Sequence, residues 1–231
     1  MKGNRAAWLE INLNNLEYNI NSIKKAISPE TKIMPVIKAD AYGHGAVALA
    51  KFMEGLGIDR FVVSVASEAM ELRKAGIEED ILMLNYLEDN YLEEVVKYNL
   101  TSAIFSYDKA KKLSEEAVRQ NKIAKIHIAL DTGMSRIGFQ ADEVHRAKSV
   151  EEILKISKLA NIDIEGIFTH FANADIKDKT LTHKQYDNYQ KTVDMLEEAG
   201  LKIRIKHVSN SASIMDLKDL NLDYVRAGII L

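Results

Sequence analysis

An apolar run, Met34-Pro35-Val36-Ile37, ends in Lys38. An ammonium group at the end of a buried strand loses hydration, which lowers its pKa and raises the fraction of free amine. A free amine attacks carbonyls and forms Schiff bases. The bland alternative is a lysine that snorkels to solvent or pairs with Asp40. Other apolar runs also end in groups with chemistry. One closes on Asp131 and leads into Thr132-Gly133-Met134-Ser135-Arg136; another closes on Thr169-His170. Two more carry Ser209-Asn210-Ser211 and Arg226-Ala227-Gly228-Ile229. Arg136 could grip a carboxylate by two parallel hydrogen bonds. Gly228 permits close backbone approach to an anion. Ser209-Asn210-Ser211 could cap a helix before Ile214, and capping and phosphate binding can share one helix N-terminus. Alone, His170 reads as a core or surface histidine and Arg136 as a surface residue. A lysine for an aldehyde with a distal phosphate nest points to pyridoxal phosphate. His44, His127, His145, His170, His183 and His207 are scattered without ligand spacing, so no metal site is expected.

The elements that must position these groups alternate. Short apolar runs over residues 33–38, 60–65, 81–84, 102–105, 125–131, 164–170, 203–209 and 224–230 read as strands buried on both faces, as in parallel sheets. Between them lie helical stripes: Leu16, Ile20, Ile23 and Ile27; Leu49, Phe52, Met53 and Leu56; Tyr186, Tyr189, Val193 and Leu196. Gly57, Gly76 and Gly200 follow helical stretches as terminators, and Asn14 and Asn15 precede the first stripe as candidate caps. Eight strands alternating with helices predict an α/β fold, a (β/α)8 TIM-type barrel, over an open doubly wound sheet. In such a barrel, functional groups gather at the C-terminal strand ends, and the last two loops often bind phosphate. Residues 7–13, AWLEINL, are strand-like but precede the first helix, so they are expected to pair outside the barrel sheet.

Composition narrows the classes. The chain has 231 residues, of which 47% are hydrophobic and 28% charged, with a net charge of −3. That balance shows no electrostatic signature of nucleic-acid binding. With no cysteine, disulfides and thiolate metal sites are excluded. No signal peptide or membrane-length apolar stretch is present, so a cytoplasmic protein without membrane partners is expected.

VIKADAYGHG closely resembles the pyridoxal-phosphate lysine motif of the alanine racemases. LDTGMSRIGF, IFTHFANAD, HVSNSAS and VRAGI resemble the family's other motifs in the same order, and AWLEINLNNLEYNI its N-terminus. The resemblance implies a PLP-dependent isomerase that interconverts L- and D-alanine to supply D-alanine for peptidoglycan. It implies that Lys38 holds the cofactor and then serves as a base at the substrate α-carbon. Tyr42, Ser211, Gly228 and Ile229 are then phosphate ligands, and Arg226 faces the pyridine nitrogen. His170 packs near the ring and bonds to Arg226, Asn210 supports it, and Arg136 lies near the substrate carboxylate. A racemase of serine or a basic amino acid, or a non-catalytic single-domain PLP-binding barrel, are the alternatives.

Two departures qualify the resemblance. A family lysine that is often carbamylated and positions the arginine is replaced by Ala129. The match also stops before a C-terminal β-domain, which in the family supplies a tyrosine base to a partner subunit of a homodimer. The expectation is therefore an N-terminal domain, with residues 1–13 as a strand for the absent β-domain and residues 14–231 as the PLP-binding barrel. By itself it should have little or no activity.

Overall fold

The computed structural model describes residues 8–231. Among these residues nine strands run β1 (Lys32–Ile33), β2 (Arg60–Val63), β3 (Asp80–Met83), β4 (Thr101–Ile104), β5 (Ala124–Asp131), β6 (Phe139–Gln140), β7 (Ile162–Thr169), β8 (Ile205–His207) and β9 (Tyr224–Val225). All pairings are parallel. One ladder follows the order β2-β3-β4-β5-β7-β8, with β6 added to β5, and β1 pairs with β9 separately. The eight expected strands are found, most of them shorter than the sequence suggests. β6 was not anticipated, because its two residues follow a Gly- and Ser-containing loop with no strand pattern.

The sheet curls, but its ladders do not close into a continuous ring. Backbone bonds from Lys32, Met34 and Val36 N–H groups run to the β9 side. The opposite edge of this segment faces β2, and there Pro35 has no N–H to donate. Only the Val36↔Val62 bridge forms, with Ile37 N–H donating to Val62 O and Val62 N–H to Pro35 O. The other gap is spanned by Asp223 N–H to Lys206 O and Arg226 N–H to Ser209 O. There the Asp223 carboxylate accepts the Lys206 N–H at 2.7 Å.

Helices cover the outer face. The first, Leu13–Ala26, buries Leu16, Ile20 and Ile23. Each such side chain contributes about 1.5–3 kcal/mol. Its cap is Asn12, whose side chain accepts from the Asn14 and Asn15 N–H groups, not Asn14 or Asn15 themselves. Tyr189, Val193 and Leu196 of Thr180–Glu198 are buried. Gly57, Gly76 and Gly200 take positive φ, as helix terminators do.

The inner face is divided. Met34, Val36, Val62, Leu82 and Tyr224 form one apolar cluster, and Ala103, Ala129 and Phe168 another. Arg60, His127, Glu165, His207 and Arg226 are buried polar groups on β2, β5, β7, β8 and just after β9.

Residues 8–12 lie outside any helix or strand, with Trp8 72% exposed and Ile11 against the core. Ala7, the first residue of the expected strand, lies outside the described residues. No helix among those described is long and apolar enough to cross a membrane.

Candidate active site

Lys38 begins a short turn, Lys38–Gly43, built in an unusual way. Ala39, Asp40, Ala41 and Tyr42 all adopt left-handed dihedrals, with φ between 50° and 57°. For non-glycine residues this costs roughly 1–2 kcal/mol each. Specific bonds hold it. Glu68 accepts from Ala39 N–H at 2.6 Å with one oxygen, and with the other from Ser64 at 2.7 Å and Val65 at 3.2 Å. Asp40 accepts from Ala46 N–H at 2.7 Å, so its carboxylate is engaged away from Lys38. The turn sends Lys38 and Tyr42 to the same cavity, whose volume is about 550 Å³.

The other candidate residues border that cavity too. Arg136 arrives on a loop fastened by Asp131, which accepts from Gly133 and Ser135 N–H groups at 3.0 Å each. His170, directly after β7, lies between cations. Burial lowers its pKa to about 3, reinforced by the charges of Arg226, Arg136 and Lys38. The ring is therefore neutral at physiological pH.

Opposite Lys38, Asn210 caps the helix Ser211–Asp216: its side chain accepts from Ser213 N–H, and Ser213 Oγ returns to Asn210 N–H at 2.8 Å. The Ser211 hydroxyl accepts the Gly228 N–H at 3.1 Å. A Cβ on Gly228 would stand 2.8 Å from the Tyr42 hydroxyl. Tyr42, Ser211, Gly228 and Ile229 thus border one side of the cavity, and a side chain at 228 would have to displace the Tyr42 hydroxyl from its place there.

Arg226 makes the cavity floor. It donates to His207 Nδ1 at 2.7 Å and to the carbonyls of His207, Thr169 and Val208 at 3.0, 2.7 and 3.0 Å. Burial lowers its pKa to about 10, with Tyr189 opposing and Arg136 adding to that effect, so it stays charged at neutral pH. The expected bond from His170 to Arg226 is not among these. His207 takes that place because it stands one strand nearer, on β8, stacked on Phe168 at 4.9 Å. Neither His207 nor Glu68 was given a role from the sequence: Glu68 lies outside the quoted motifs, and His207 opens HVSNSAS but reads there only as one of the scattered histidines.

These residues fit a phosphorylated aromatic aldehyde. An amine stands at one side, a hydroxyl- and N–H-lined cradle at another, and a fixed cation on the floor.

The model of the alanine racemase N-terminal domain matches residues 11–231. The chain belongs to this family. The alanine racemase of Clostridium tetani is 48% identical over 227 residues, which are 98% of this chain and 57% of that protein. Alanine racemase 1 of Clostridium acetobutylicum is 45% identical over 98% of this chain and 58% of its own length. The solved alanine racemase of Clostridium difficile 630 superposes with a TM-score of 0.95 at 48% identity, covering 99% of this chain and 59% of that one. The Bacillus anthracis alanine racemase with bound L-Ala-P gives 0.91 at 29%, over 99% and 58%. The chain therefore spans less than two thirds of the length of these relatives.

Within this alanine racemase domain, Ala129 marks a local difference. It is buried against Ala103 and Phe168. Beside it lies a second cavity of about 40 Å³, which Arg136, His170 and Arg226 also border. Arg136 is thus left next to open space where the family resemblance implies a long side chain.

Proposed function

We propose that this chain carries the pyridoxal-phosphate-binding half of an alanine racemase. The observation that supports it best is the convergence of Lys38 and the Tyr42–Ser211–Gly228 cradle on one cavity. Bound there, pyridoxal phosphate would supply an electron-withdrawing ring that stabilises negative charge at the substrate α-carbon.

The residues then divide the work. Tyr42, Ser211, Gly228 and Ile229 hold the phosphate with hydroxyl and backbone donors. Lys38 Nζ is the amine that would hold the aldehyde end of the group, with release of water, and as a free amine it would take or return the α-proton on one face. Arg226 presents a guanidinium, which does not release its proton, to the ring nitrogen. A donor that keeps its proton would leave that nitrogen unprotonated, and Arg226 would thereby disfavour side reactions such as transamination. His170 stays neutral and packs beside the ring, with Asn210 as support. Arg136 binds the substrate carboxylate.

The same reading takes the curled sheet as the wall of a (β/α)8 barrel over residues 14–231. Residues 8–12, which form no helix or strand by themselves, would pair with a further β-domain. A homodimer brings a tyrosine from that domain of the partner to the opposite face of the α-carbon. Alanine is the substrate, the product feeds cell-wall synthesis, and the protein works in the cytoplasm.

Absorbance tests the cofactor half. The purified chain mixed with pyridoxal phosphate is expected to show an imine band that Lys38→Ala abolishes. Adding L-alanine and following D-alanine should then give slow turnover at most. Absence of the band, or its persistence in Lys38→Ala, overturns the reading.

A further inference from the structure

Arg226 is a buried cation that, among the described residues, forms no ion pair with a carboxylate; its bonds go to His207 and backbone carbonyls. Its Nη1 donates to His207 Nδ1 at 2.7 Å, and the bonds continue inward. His207 Nε2 lies 2.9 Å from His127 Nδ1, and His127 Nε2 lies 3.0 Å from Glu165 Oε2. The same Glu165 oxygen accepts from Arg60 at 2.7 Å, and Arg60 donates on to Asp80 at 2.8 Å. Neither Glu165 nor His127 borders the cavity, and the cofactor roles above use neither.

The donors can be assigned from both ends. Guanidinium only donates, so His207 Nδ1 accepts. Burial by itself raises the Glu165 pKa. The bonds from His127 and Arg60 outweigh that and hold the carboxyl below its usual range. As a carboxylate it only accepts, so His127 Nε2 carries a proton. Burial keeps both rings neutral. One assignment remains: both are Nε2–H tautomers, and His207 Nε2–H donates to His127 Nδ1.

The backbone is shaped for this line. Ile164 pairs with Ile126 and Gly166 with His127, so Glu165 is an extra residue in β7, a bulge. Bulges re-aim side chains. A Cβ on Gly166 would stand 2.6 Å from the His127 ring, so only glycine admits that ring.

We propose that Glu165 is a positioning residue for the cavity: through His127 and His207, its carboxylate fixes the acceptor nitrogen that holds the Arg226 guanidinium on the floor. A carboxylate touching Arg226 would cancel much of its field. Two neutral rings keep the counter-charge remote, while their aligned dipoles strengthen the bond to the guanidinium. The bonded line stands by itself; only what Arg226 faces rests on the cofactor reading.

Nitrogen NMR of the cofactor-free, isotope-labelled chain tests the line directly. His127 and His207 are expected as neutral Nε2–H tautomers. Glu165→Gln keeps an acceptor oxygen and removes the charge. It should shift the ring signals of both histidines and the side-chain signals of Arg226, whereas a purely local contact would move His127 alone. A proton on His207 Nδ1, or unmoved His207 and Arg226 signals, overturns the proposal. If Glu165→Gln does not fold, the parent tautomers still decide. With pyridoxal phosphate added, the variant should lower the pH midpoint of the Lys38-dependent band, because one interior negative charge is gone. An unchanged midpoint overturns the link to the site. A parent with no band but with the predicted tautomers refutes the cofactor reading and upholds the relay.

Discussion

Lys38 reaches the cavity from a strained left-handed turn that a glutamate and an aspartate tie down from the surface. Arg226 reaches it from the end of β9, held by four side-chain bonds in the interior. The difference matches the roles proposed for the two groups. A lysine that exchanges partners suits a half-buried place on a segment held by few contacts. A cation that stays fixed suits acceptors that are all buried, as His207, Thr169 and Val208 are. A reactive group is held by replaceable constraints, and an electrostatic one by redundant ones.

Breaking the redundant side should have the larger effect. Arg226→Leu leaves His207 Nδ1 and three carbonyls without a donor, and should cost about 1–3 kcal/mol for each of these groups that stays unsatisfied. The urea midpoint should fall with an unchanged slope. Acid should attack the same side next. Folded His127, His207 and His170 stay neutral, while in the unfolded chain they titrate near 6.5. The unfolded state then binds more protons below that value, so stability falls as pH drops from about 6.5 toward 4.5. The slope approaches about 1.4 kcal/mol per pH unit for each histidine. Urea unfolding at several pH values measures it; a flat profile would contradict the buried neutral histidines. Loosening the strained side should cost least. Glu68→Gln turns one acceptor of the Ala39, Ser64 or Val65 N–H groups into a donor, with an expected loss of about 1–2 kcal/mol. Hydrogen exchange at Ala39 should quicken while β5 and β7 stay protected, and pyridoxal phosphate should bind more weakly.

The two sides were also unequally legible in the sequence. Strands such as 60–65 and 125–131 announce themselves because burial on both faces demands continuous apolar runs. The candidate groups were visible at or just after the ends of those runs, and those named for the cofactor and substrate, from Lys38 and Tyr42 to Gly228 and Ile229, border one cavity; Asp131, Thr169 and Ser209 do not. The left-handed turn was hidden, since Ala-Asp-Ala-Tyr has no glycine to mark positive φ, and Glu68 lies in the next helix. The relay was hidden more deeply. Its members sit on β5, β7 and β8, and two of its bonds join residues 38 and 80 positions apart. Gly166, a glycine inside a strand, was the one local hint. Pro35 was likewise the hint that the ladder between β1 and β2 would be interrupted.

The bulge in β7 has a consequence for anyone redesigning this domain. A protocol that rewards regular pairing would delete one residue at 165 and straighten β7 against β5. It would also remove the carboxylate on which the histidine line ends and take from the buried Arg60 one of its two acidic partners. Redesigned versions should be judged first on whether they keep this one extra residue.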